Sequence, residues 1–113
     1  MTVKYTYHHV GIPTQEIVPG MIHIRHLNIW ATDHESNPFY IQWMKYDEDC
    51  TLPELVRTVT HVAFEVDDLE EALKGKKVIV QPNSPSPGVL VAMIEEAGAP
   101  VELLQYEKKT GSK

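Results

Sequence analysis

A chain of 113 residues with a net charge of −6 and a pI near 5.4 is long enough for one hydrophobic core and too short for two. The acidic balance and the lack of a basic cluster argue against nucleic acid. No apolar run reaches the length of a membrane span or of a secretory leader, so a cytoplasmic protein with no membrane partner is expected.

Residues 1–6 read as a ragged lead-in without chemistry. From residue 7 the pattern is that of a strand, with Val10 and Ile12 on one face and His9, Gly11 and Pro13 on the other. By this alternation His8 shares the face of Val10 and Ile12, away from any inner face, and His9 is the histidine that points inward. Residues 15–20, with Pro19-Gly20, form a loop with at most a turn. Residues 21–32 hold two short strands or one bent strand, 33–38 a turn with Asn-Pro punctuation, and 39–46 a further strand.

The register of 21–38 is not fixed by pattern, so His23, His26 and His34 are expected on the surface. Arg25 is open between a surface charge and an anchor for an anionic group, and Trp30 and Trp43 are expected in packing. The connector 47–58 should be packed down by Leu52, Leu55 and Val56, with a helical turn at 53–57 after Pro53. Its Cys50 is the chain's single cysteine, which excludes an internal disulfide. Asp47, Glu48 and Asp49 beside it should blunt the thiol as a nucleophile, leaving it a structural role.

The clearest stretch is 60–73. Val62, Phe64 and Val66 alternate with His61, Ala63 and Glu65, giving a strand with one apolar face. Asp67 or Asp68 then caps a helix over 67–75 that ends at Lys74-Gly75. Residues 77–81 are a strand. Residues 82–88, with Pro82, Pro85 and Pro87, form a stiff loop, read as a plain connection in preference to the rim of a cleft. Residues 89–94 and 100–106 are strands joined by a turn, and 107–113 is a polar tail.

The two halves repeat. His9 matches His61, and the run 41–46 lies on 101–106, pairing Gln42 with Glu102 and Tyr46 with Tyr106. The second half is longer between these pairs by about eight residues, or roughly two helical turns. The helix of the second half is therefore missing or reduced in the first. Met44, Leu104, Tyr46 and Tyr106 share strand faces with Gln42 and Glu102, so they serve equally well as cleft lining or as core.

His-Val-Gly-Ile at 9–12, His-Val-Ala-Phe-Glu-Val-Asp-Asp-Leu at 61–69 and Val-Glu-Leu-Leu-Gln-Tyr at 101–106 resemble the vicinal oxygen chelate superfamily. That group includes glyoxalase I, extradiol dioxygenases and bleomycin-resistance proteins. The resemblance covers about residues 7–106 and implies an α+β fold: two βαβββ-type modules in a glyoxalase-like open barrel. The expected layout is a single domain over 1–113, with a first module at about 7–47, a connector at 48–58, a second module at about 59–106 and the tail.

His9, His61 and Glu102, with Gln42 as a possible fourth, form a set of two imidazoles and a carboxylate. Such a set suits a divalent ion of Fe, Zn, Mn, Ni or Co and leaves positions open for a chelating substrate. The resemblance implies one ligand from the first and one from the last strand of each module, which assigns the same four residues. Gln42 departs from the commoner glutamate and is the weaker donor.

The function expected is that of a metal-dependent enzyme on a small substrate chelated through vicinal oxygens, by isomerase, lyase or dioxygenase chemistry. The alternatives are a metal-free small-molecule binding protein of the bleomycin-resistance type and a regulatory module with a vestigial site. Without a helix over the first half, an apolar sheet face is left for a second copy, and a homodimer is expected.

Overall fold

The computed structural model describes residues 2–107. Almost all of the expected polar tail lies outside them, except Glu107, whose N–H donates to the Gly88 carbonyl at 2.8 Å. The elements are β1 (Tyr5–Pro13), β2 (Ile22–Ile24), β3 (Ile29–Ala31), β4 (Ile41–Tyr46), α1 (Glu54–Thr58), β5 (His61–Val66), α2 (Leu69–Leu73), β6 (Lys77–Asn83), β7 (Val89–Glu96) and β8 (Ala99–Tyr106). Among the described residues no helix is long and apolar enough to cross a membrane.

The strands form one mixed eight-stranded sheet in the order β2-β3-β4-β1-β5-β8-β7-β6. β1 and β5 meet antiparallel at its middle, β1 runs parallel to β4, and β5 runs parallel to β8. Ile24 from one end of this order and Val80 from the other line the same cavity. The sheet therefore curls into a half-barrel with an inner and an outer face.

The alternation expected in β5 decides which face is which. Val66 joins Leu69, Ala72, Ala92, Ile94 and Leu103 in a buried cluster, so α2 packs on the outer face of the second half. Asp68 caps α2 by accepting from the Glu71 N–H at 3.1 Å, and Gly75 ends the segment in a left-handed conformation that its missing Cβ allows. Among the described residues no helix over the first half matches α2. The connector instead packs into the bowl from within, bringing Cys50 against Ile29 and Ala31 and burying Val56 of α1. Cys50 is thus a core residue.

Two expectations are corrected here. The chain is not ragged up to residue 6, because β1 begins at Tyr5, Val3 packs against the cluster under α2, and the Lys4 N–H donates to Asp67 Oδ1 at 3.1 Å. The second concerns β1, whose pairing with β5 shifts between Tyr7 and His9: Tyr7 faces Phe64, His9 faces Ala63, and His8 is an extra residue between them. This β-bulge resets the alternation. Tyr5 and Tyr7 turn outward to meet Phe64 edge-on, and His8 turns inward rather than away from the cleft.

Candidate metal centre

His9 and Gly11 on β1 lie opposite Ala63 and His61 on β5, and Glu102 on β8 is registered with Ala63. Three neighbouring strands at the middle of the sheet therefore aim His9, His61 and Glu102 into one space. Gly11 is required there, since a Cβ at that position would collide with the His61 ring.

The three side chains each offer one ligand atom, and these atoms all lie within 4.8 Å of one another. Glu102 Oε1 is 2.9 Å from His61 Nε2 and 3.6 Å from His9 Nε2. Yet both of these nitrogens are buried without a hydrogen-bond partner, the His9 contact being too long for one and the His61 contact, though close, not forming one. Donors that converge on a common point and leave one another unsatisfied are what a cation site requires, and an orphaned buried nitrogen is otherwise costly. Burial alone would raise the Glu102 carboxyl, but the rings of His61 and His9 outweigh it and hold the group well below the usual carboxylate range. The carboxylate form a metal needs is therefore favoured.

Gln42 is registered with Gly11 and lines the same cavity. Its Nε2 donates to the Thr32 carbonyl at 3.1 Å. A carbonyl can only accept, so the amide is oriented and its oxygen is left free of that contact.

His8 and His34, expected away from the site, line it. His8 Nδ1 is 2.7 Å from His9 Nδ1, and His8 Nε2 is 2.7 Å from the Tyr106 hydroxyl. The His34 ring, at the start of a short 3-10 turn, lies 4.3 Å from that of His8, and with His9 the two make a second close group. Burial first, then the neighbouring His34 and His9 rings, push His8 down to about 4, so it is neutral near pH 7. His23 stacks on Trp30 and Arg25 is exposed and outside the cavity; neither contributes.

The cavity holds about 220 Å³. Its walls are apolar: Ile24, Leu27, Ile29 and Met44 from the first half, Leu52 and Val56 from the connector, and Val80, Val91, Met93 and Leu104 from the second. Among the described residues no lysine or arginine lines it. Asn83, Pro85 and Ser86 close one side, so the proline loop is a rim and not only a connection. Met44, Tyr46, Leu104 and Tyr106 all line the space as well.

No protein-family model and no curated protein matches the chain. The solved crystal structure of a hypothetical protein from Bacillus halodurans C-125 is similar, with a TM-score of 0.66 at 15% identity, covering 99% of this chain and 100% of that one. At that identity the likeness speaks to the fold.

Proposed function

We propose that the protein is a metal-dependent enzyme of the vicinal oxygen chelate type, acting on a small, largely apolar molecule that presents two neighbouring oxygens. The observation that carries this reading is the buried convergence of His9 Nε2, His61 Nε2 and Glu102 Oε1 with both nitrogens unpartnered. The strand order supports the matching architecture: two βαβββ-type modules of a glyoxalase-like open barrel, the first without its helix, since the order outward from β1 is repeated outward from β5.

His9, His61 and Glu102 would hold a divalent ion of Fe, Zn, Mn, Ni or Co, with the Gln42 amide oxygen as a weaker fourth donor. Bound there, the ion supplies a Lewis acid for an anion developing on the substrate oxygens. The chain's own contribution is orientation and exclusion of water: the apolar walls lower the local dielectric, which strengthens every charge interaction within. With no lysine or arginine in the lining among the described residues, the body of the substrate is bound by apolar contact.

The apolar lining also favours a second reading, a metal-free protein that sequesters a small apolar ligand. Elemental analysis of protein purified without a metal-affinity step separates the two. About one equivalent of a transition metal per chain is expected. None, even after reconstitution with Fe(II), Mn, Ni, Co and Zn, would leave the binding protein as the reading. We further propose a homodimer formed through the outer face of the first half, where Tyr5 and Tyr7 of β1 are exposed, with Val62 of the adjoining β5 at its border.

A further inference from the structure

We infer that His8, turned inward by the β1 bulge, is the positioning residue of His9, and that with Tyr106 it forms a directed hydrogen-bond chain from the metal centre to the protein surface. This rests on the reading of His9 as a ligand. His9 directs Nε2 toward Glu102 and Nδ1 toward His8. A neutral imidazole that gives Nε2 to an ion carries its one proton on Nδ1. That proton is donated to His8 Nδ1 at 2.7 Å, so His8 Nδ1 is the acceptor and the His8 proton sits on Nε2. It is donated in turn to the Tyr106 oxygen at 2.7 Å. Each ring then has a single allowed tautomer, and the chain ends at a tyrosine that is 45% exposed.

The same distances decide against a second ion held by His8, His9 and His34. Both His8 nitrogens have partners, whereas the nitrogens left without one in the site belong to His9 and His61. The bulge also gains a purpose, because without the extra residue His8 would face the opposite side of the sheet.

The test uses the full chain. Long-range proton–nitrogen NMR of zinc-loaded protein, and of the same protein without zinc, reads the His9 tautomer, and titration with Mn, Ni or Zn reads affinity. Wild type should show His9 protonated on Nδ1. His8→Ala should lose that preference and bind the ion about 10–100-fold more weakly. His8→Asn, whose amide oxygen can stand where Nδ1 stood, should restore most of both, which a merely structural role would not predict. If His8→Ala does not fold, His8→Asn and Tyr106→Phe still decide: Tyr106→Phe should release the tautomer of His8 and weaken binding less than tenfold.

An unchanged His9 tautomer and affinity in His8→Ala would overturn the inference. So would two ions per chain in wild type that fall to one in His34→Ala. Wild type that binds no ion yet keeps the Nδ1 proton would sink the enzyme reading and leave the hydrogen-bond chain standing.

Discussion

Gly11 and His61 face each other across β1 and β5, and the imidazole of His61 occupies the volume that any side chain at residue 11 would need. The absence of a Cβ on one strand is thus the condition for a ligand on the next.

Gly11→Ala should therefore act on the site before the fold. The added methyl pushes the His61 ring off its position beside Glu102, at a cost of about 1–3 kcal/mol from overpacking. Metal affinity should fall by more than about tenfold, the range seen when a ligand loses its orienting partner. Calorimetric metal titration beside a thermal melt checks both, and unchanged affinity would mean that the ring has another resting place.

Removal of donors should be graded by their chemistry. His9→Ala, His61→Ala or Glu102→Gln should each weaken the ion by more than about 100-fold, whereas Gln42→Ala should cost less, because water replaces a neutral amide oxygen better than an imidazole or a carboxylate. Competition with a chelator of known affinity measures the series.

Leu103 follows Glu102 but points the other way, into the cluster under α2, where it is 1% exposed. Leu103→Ala should lower stability by about 2–5 kcal/mol with little change in metal affinity. A denaturant melt and a metal titration on the same variant test whether the two faces of β8 are independent.

Tyr46 should contribute to a loss of stability at alkaline pH. Burial foremost, then Glu102 and Cys50 nearby, raise its hydroxyl well above its ordinary value of 10.0. The folded state therefore keeps the proton after the unfolded chain has lost it. That contribution is fully present below pH 10 and is lost as pH rises toward the folded value, at no more than about 1.4 kcal/mol per pH unit. Tyr46→Phe should flatten the loss of stability above pH 10, measured by urea melts across that range.

The proposed dimer should dissociate on Tyr7→Glu, which places a charge on the uncovered outer face. Light scattering at micromolar concentration should report a dimer for wild type and a monomer for the variant.

Much of this was legible in residues 61–73, where strict alternation and an acidic cap left one local solution, and the matching of His9 with His61 and of Gln42 with Glu102 brought the donors to one place. The bulge was harder to read. Its trace is a change of parity within β1: Tyr5 and Tyr7 are large aromatics, yet His9 and Gly11 at the same parity belong to the site. A strand whose odd positions change character midway has gained or lost a residue, and the adjacent pair His8-His9 marks where. His34 and the proline rim could not be placed, because their contacts with the cavity depend on the curl of the whole sheet and not on neighbours in sequence. The early ordering of the chain depends likewise on Asp67, far along the sequence, accepting from the Lys4 N–H.

β1 and β5 are joined by backbone pairing at the middle of the sheet, so the two halves cannot part to admit a visitor without breaking the strands that carry His9 and His61. A ligand of the proposed site would have to enter over the edge of the bowl instead, one side of which is formed by Asn83, Pro85 and Ser86. If that side is the way in, the stiff proline loop would govern how long a ligand stays, and the sheet how tightly it is held. Residence time and affinity would be adjustable separately, by changing residues that never touch the same atom.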